Sequence, residues 1–135
     1  MEKYLTEMAA LAKQAANNAY VPLCQFPVGA CIRTKEDKLF NGCNWENMAT
    51  PLSQCAEASA LSAMLTAGHR KITDIVLVTA TESACTPCGA CRQRLIQFSD
   101  DETTFYSYNM DGLLLDMVKL TTFLPKSFMW ELDRT

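Results

Sequence analysis

Two short segments, Cys55-Ala56-Glu57 and Pro87-Cys88-Gly89-Ala90-Cys91, each stand where a helix should begin, and together they restrict the fold more than any other feature. Pro51 and Ser53 precede an Ala- and Leu-rich stretch from Cys55 to Ala67, and Gly68 follows where a helix C-terminus favours a left-handed residue. Pro87, with its fixed φ, opens another helix expected to run to about Phe98. Between the two lies Ile75 to Val78, a continuous apolar run dominated by branched side chains, the pattern of a strand covered on both faces. A helix, a buried strand and a return put both helix starts at one edge of a sheet. Cys88 and Cys91 then share one face of a first turn, and with Cys55 three sulfurs can converge on one ion.

The remaining pattern supplies the partners of that strand. Leu5, Met8, Ala9, Ala12, Ala15, Ala16 and Ala19 form one apolar stripe at helical spacing over residues 4 to 19. Val28, Ala30 and Ile32 alternate with Gly29, Cys31 and Arg33, and the polar turn Lys35 to Lys38 leads into Leu39 to Asn44, so a hairpin is predicted. Thr103 to Tyr108 reads as another strand before an Asn109 to Gly112 turn, whereas Leu113 to Trp130 has no decisive period. The order predicts an α/β fold, a mixed β-sheet covered by helices, in a single domain over residues 1–135. With 49% hydrophobic and 20% charged residues, the chain can bury a core and is not intrinsically disordered.

Charge and cysteine use exclude several functions. A net charge of −3 without a basic block argues against polymeric nucleic acid as the main ligand. The longest uncharged run, Gln14 to Ile32, contains Asn17, Asn18, Pro22, Gln25 and Pro27, so no transmembrane helix is expected. Glu2, Lys3, Glu7 and Lys13 interrupt any secretory signal, and a cytoplasmic location is expected. Seven cysteines cannot all pair within one chain, and in a reducing compartment they point to metal ligation, catalysis or burial.

Helix N-termini favour anions, so thiolates at Cys55, Cys88 and Cys91 are expected to be stabilised there. Soft sulfur donors suit zinc, and three protein ligands leave the fourth tetrahedral position that distinguishes a catalytic site from a structural one. Glu57 leaves its helix in a different direction from Cys55, beside the open position, where a carboxylate can move protons. Taken alone, Cys88 and Cys91 also suit a structural zinc clip or a redox pair. Cys85 is read as a loop thiol, Cys24, Cys31 and Cys43 as small buried residues, and His69 as exposed.

Cys55-Ala56-Glu57 together with Pro87-Cys88-Gly89-Ala90-Cys91-Arg92-Gln93 resembles the cytidine deaminase family, whose zinc deaminase pattern has three cysteines or His and two cysteines on the metal and a non-ligand Glu. Cys at the first ligand position resembles the homotetrameric free-nucleoside branch. Phe26-Pro27-Val28-Gly29-Ala30, Gly42-Cys43-Asn44-Trp45-Glu46-Asn47 and Leu124-Pro125-Lys126-Ser127-Phe128 resemble family segments in the same order, covering roughly residues 4 to 130. The resemblance implies the family's three-layer architecture and hydrolytic deamination of cytidine, deoxycytidine or both. A zinc-bound hydroxide would attack C4, with Glu57 as the catalytic proton shuttle and Cys55, Cys88 and Cys91 on the metal. It also implies that Asn44 and Glu46 bind the ribose 3′-hydroxyl, that Phe26 packs on the nucleoside, that the Ala56 backbone meets the base edge, and that Phe128 reaches a neighbouring subunit's site. Glu46 would repel a 5′-phosphate, which favours a nucleoside over a nucleotide.

Three positions depart from the family pattern. Ala58 stands where an Arg often donates to the thiolates, Thr50 where a Tyr is frequent, and Leu23-Cys24 where Tyr-Ser is usual. Backbone N–H groups at the two helix starts remain to serve the sulfurs, and an Arg from elsewhere, such as Arg92, is a candidate substitute. Two other functions stand beside the cytidine deaminase reading: deamination of another nucleoside, such as a nucleoside antibiotic, and a noncatalytic zinc-stabilised binding module.

Overall fold

The computed structural model describes residues 2–129; Trp130, at the end of the patternless C-terminal stretch, lies outside the described residues. Helix α1 spans Lys3–Asn17, two residues short of the apolar stripe, because the Asn18 backbone leaves helical geometry and the last turn closes with Asn18 N–H donating to the Ala15 carbonyl and Ala19 N–H to that of Ala16. Strands β1 (Val28–Thr34) and β2 (Leu39–Cys43) form the predicted antiparallel hairpin, with Asp37 in the left-handed region at the turn. A short 3-10 turn at Thr50–Leu52 precedes α2 (Ala56–Thr66). Strand β3 (Ile72–Thr79), α3 (Gly89–Ile96), β4 (Thr104–Asn109) and β5 (Leu114–Lys119) follow, with a 3-10 turn at Leu120–Phe123.

The five strands form one sheet in the order β2-β1-β3-β4-β5, in which only the β3–β4 pair is parallel. A parallel pair needs a crossover, and α3 supplies it. The two-residue period sorts the strand side chains between two cores. Ala30, Ile32, Ile75, Leu77 and Phe105 face Ala60, Leu61 and Met64 of α2 and Leu95 of α3. Cys31, Val76, Val78, Tyr106 and Tyr108 face Leu5, Met8 and Ala12 of α1. The fold is therefore three-layered, with α1 on one face and α2 and α3 on the other.

Two glycines set how closely the helices approach. A Cβ at Gly29 would lie 1.7 Å from the Ala12 carbonyl oxygen of α1, and one at Gly42 would lie 2.4 Å from the Ala60 nitrogen of α2. Helix backbone thus rests directly on β1 and β2, which no larger residue permits.

Several expectations need correction. Strand β3 begins at Ile72, since Ile72 is buried and its N–H bonds to the Phe98 carbonyl before the continuous apolar run starts. Helix α3 ends at Ile96 and begins at Gly89, with Cys88 as N-cap, so Pro87 precedes the helix instead of opening it. Strand β5 lies in the stretch without a pattern. It is an edge strand that leaves Leu114 and Met117 exposed, so its apolar residues do not alternate with burial. Of the three cysteines read as buried, Cys31 alone is, with its thiol pushed up to about 12 by burial against a weaker backbone hydrogen bond. Cys43 is half-buried, and Cys24 is exposed on the loop between α1 and β1. His69 is half-buried, its ring 5.5 Å from that of Phe40 and its Nδ1 2.8 Å from Glu36 Oε1. Among the described residues no helix is long and apolar enough to cross a membrane.

Candidate metal centre and active site

Helix α2 precedes β3 and α3 follows it, so both helices start beside the C-terminal end of that strand. Cys55 is the N-cap of α2, Cys88 the N-cap of α3, and Cys91 lies in the first turn of α3. Their three sulfurs lie within 4.8 Å of one another, and Cys55 Sγ is 3.8 Å from Cys88 Sγ. Zinc–sulfur bonds of about 2.3 Å at tetrahedral angles require sulfurs about 3.8 Å apart. A disulfide needs about 2.05 Å, and all three thiols are free. The donor set therefore fits a zinc ion with one coordination position left over.

The expectation that both helix starts stabilise all three thiolates holds for Cys88 alone. Burial opposes its ionisation, yet the Cys91 backbone N–H and the two neighbouring thiols hold it below its ordinary value. Cys55 is raised by burial and by the negative charge of Glu57, against a hydrogen bond from Cys91. Cys91 is raised further, by burial and then by Glu57 and Cys55. Three thiolates and a carboxylate crowd one partly dry corner, and a divalent cation is the charge that lets them ionise together.

Glu57 is only 5% exposed. Burial lifts its carboxyl above the ordinary carboxylate range, while its own backbone N–H and the charge of Arg94 pull it back. Arg94 is the residue the sequence reading missed. It follows Cys91 by three positions on α3 and its Nη1 donates to Cys91 Sγ at 3.8 Å. That spacing was the available signal. Arg92, the candidate substitute, is turned away: Nε donates to the Pro87 carbonyl at 2.8 Å, Nη1 to that of Phe123 at 3.1 Å, and Nη2 to Thr86 Oγ1 at 3.3 Å. Cys85 is half-buried in the loop before Pro87 and does not join the sulfur cluster.

The residues expected to meet a nucleoside lie on segments sewn to α2. Trp45 exchanges both backbone hydrogen bonds with Gln54, the residue before Cys55, and Glu46 N–H donates to the Tyr20 carbonyl. The Asn44 side chain accepts from Val28 N–H at 2.8 Å and donates to the Phe26 carbonyl at 2.9 Å. Glu46 accepts from Leu23 N–H at 2.7 Å and Cys24 N–H at 3.1 Å. Both side chains thus shape the loop that carries Phe26, which is 37% exposed. Ala56 is the first residue of α2, where backbone N–H groups have no partner within the helix. Phe128 is exposed beyond α3, its carbonyl accepting from Gln93 Nε2 at 3.0 Å.

Residues 2–107 match the family described as the cytidine and deoxycytidylate deaminase zinc-binding region. A cytidine deaminase of Sporosarcina psychrophila is 34% identical over 131 residues, covering 97% of this chain and 93% of its own length. One from Halalkalibacterium halodurans is 35% identical over 118 residues, covering 87% of this chain and 89% of that relative. The crystal structure of cytidine deaminase from Burkholderia pseudomallei superposes with a TM-score of 0.85 at 35% identity, covering 95% of this chain and all (100%) of that one.

Proposed function

Because the chain belongs to the family of cytidine and deoxycytidylate deaminases, we infer that it is a zinc-dependent hydrolase that deaminates cytidine to uridine and ammonia. The observation that carries this reading is the cluster of Cys55, Cys88 and Cys91, at zinc-compatible spacing, with the charge of buried Glu57 acting on all three thiols. When bound, zinc supplies the Lewis acidity that makes water a nucleophile near neutral pH. Cys55, Cys88 and Cys91 would hold it.

Glu57 takes one proton from water and delivers it to N3 of the cytosine ring, then takes the remaining proton from the new C4 hydroxyl and passes it to the amino group as the C–N bond breaks and ammonia departs. A carboxyl raised by burial suits both halves of that task, because it accepts protons more readily than an exposed one and can still return them. Phe26 covers a face of the nucleoside, and the Ala56 backbone meets the base edge. Asn44 and Glu46 take the ribose 3′-hydroxyl. A carboxylate has about four acceptor sites, so Glu46 can hold the loop N–H groups and still accept from a sugar. The same negative charge disfavours a 5′-phosphate.

The reading extends to a single domain over residues 1–135 in the cytoplasm, with neither membrane nor polymeric nucleic acid as partner. It also extends to a homotetramer in which Phe128 completes a neighbour's site. The exposed position of Phe128, beside α3 but outside its own core, supports that last point. Zinc content measured together with the loss of cytidine absorbance tests the function directly. Stoichiometric zinc and uridine formation are expected. Zinc without turnover of cytidine would leave a binding module or a deaminase of another nucleoside.

A further inference from the structure

We infer that Arg94 balances the charge of the three-cysteine centre, acting on the Cys91 sulfur of its own helix from beside a groove that the small side chain of Ala58 leaves open. This rests on the zinc reading above. A zinc ion with three thiolates carries one net negative charge, and Glu57 adds a second in a site where Cys91 is fully buried. Uncompensated charge in such a place is strongly unfavourable. The Arg94 guanidinium donates from Nη1 to Cys91 Sγ at 3.8 Å, so it brings both a positive charge and a hydrogen bond to the most buried sulfur.

A groove adjoins this contact. It encloses about 220 Å³ between α2 and α3, and its walls include Cys55, Ala58, Leu61 and Arg94. Ala58 follows Cys55 by three residues on α2, as Arg94 follows Cys91 by three on α3. The two helices therefore offer equivalent positions for a cation facing the sulfurs, and only the one on α3 is filled. Arg94 touches neither substrate nor reacting atoms in this role; it is a positioning residue that acts through Cys91.

The test compares zinc affinity, by competition with a chromophoric chelator, for the wild type, Arg94→Met, Arg94→Lys and the double variant Arg94→Met/Ala58→Arg. The Met side chain keeps the apolar stem in the groove and removes the charge and the donor. Arg94→Met is expected to lose about 10- to 100-fold in zinc affinity, the usual effect of removing a group that supports a metal ligand. Arg94→Lys should keep most of it, and Ala58→Arg should restore it from the other wall. In the cobalt-substituted proteins the sulfur-to-metal charge-transfer band should move to lower energy in Arg94→Met and return in the double variant. A merely structural role for Arg94 would not produce that pattern. Wild-type affinity and an unshifted band in Arg94→Met would overturn the inference while leaving the deaminase reading intact. A wild type that binds no zinc would overturn the metal reading and this inference with it. Should Arg94→Met fail to fold, Arg94→Gln, which keeps a polar head without charge, decides the same question.

Discussion

Glu57 sits two residues beyond Cys55, close enough for its charge to act on every ligand sulfur and buried enough for its carboxyl to be raised. Glu57→Gln keeps the shape and removes the exchangeable proton. It should retain fold and zinc while turnover falls about 100- to 10,000-fold, the range for general acid–base groups. Steady-state rates normalised to zinc content check this, and activity above about a tenth of wild type would contradict an essential proton shuttle. Glu46 gives a pH-dependent counterpart. Burial opposes its ionisation, but the N–H groups of Leu23 and Cys24 prevail and hold its carboxyl below the ordinary value. A depressed folded-state pKa means that the loop's anchorage is fully present above the ordinary carboxyl pKa of about 4.3 and is lost as pH falls through the lowered value. The stability difference between wild type and Glu46→Gln, from urea unfolding at several pH values, should be constant near neutrality and close in acid. A difference independent of pH would remove Glu46 as the anchor.

At the scale of elements, the site depends on how α2 lies against the hairpin. Gly42 of β2 is in contact with the backbone of Ser59 and Ala60, one turn below Glu57. Gly42→Ala forces α2 away from the sheet, and with it Cys55 and Glu57. Overpacking of this kind costs about 1–3 kcal/mol. Urea unfolding should show that loss, accompanied by a lower turnover at saturating zinc; full activity at wild-type stability would mean that α2 can shift without disturbing the site. Helices α1 and α2 were legible from their apolar content and flanking residues, because a helix face and its stop signals are local properties. Strand β5 was not, since Leu114 and Met117 stand at exposed positions and Asp116 at a half-buried one, so the residue types do not alternate with the two faces.

Across the whole molecule, the proposed tetramer makes a prediction that a single chain cannot satisfy. If Phe128 serves a neighbour's site, Glu57→Gln and Phe128→Ala proteins, each weakly active alone, should regain activity when unfolded together and reassembled. Sites pairing an intact Glu57 from one chain with an intact Phe128 from another then form. Light scattering should report an oligomer throughout. Recovery no greater than the sum of the separate variants would place both residues in the same chain's site or leave Phe128 without a role.

The local order of residues was enough to determine that Cys55, Cys88 and Cys91 stand at helix starts, that β3 is buried, and which family the motifs resemble. These follow from helix and strand periods and from the special backbone demands of Gly and Pro, all of which act over a few residues. The tertiary structure alone decided that Arg94 and not Arg92 reaches the sulfurs. The side chain of Arg92 is drawn to the carbonyls of Pro87 and Phe123, and Phe123 comes from a segment 31 residues away. It alone decided that burial and the charge of Glu57 raise two of the three thiols against the pull of the helix starts. Charges and hydrogen bonds act through space, and their balance at one sulfur depends on every group the fold brings within a few ångströms of it.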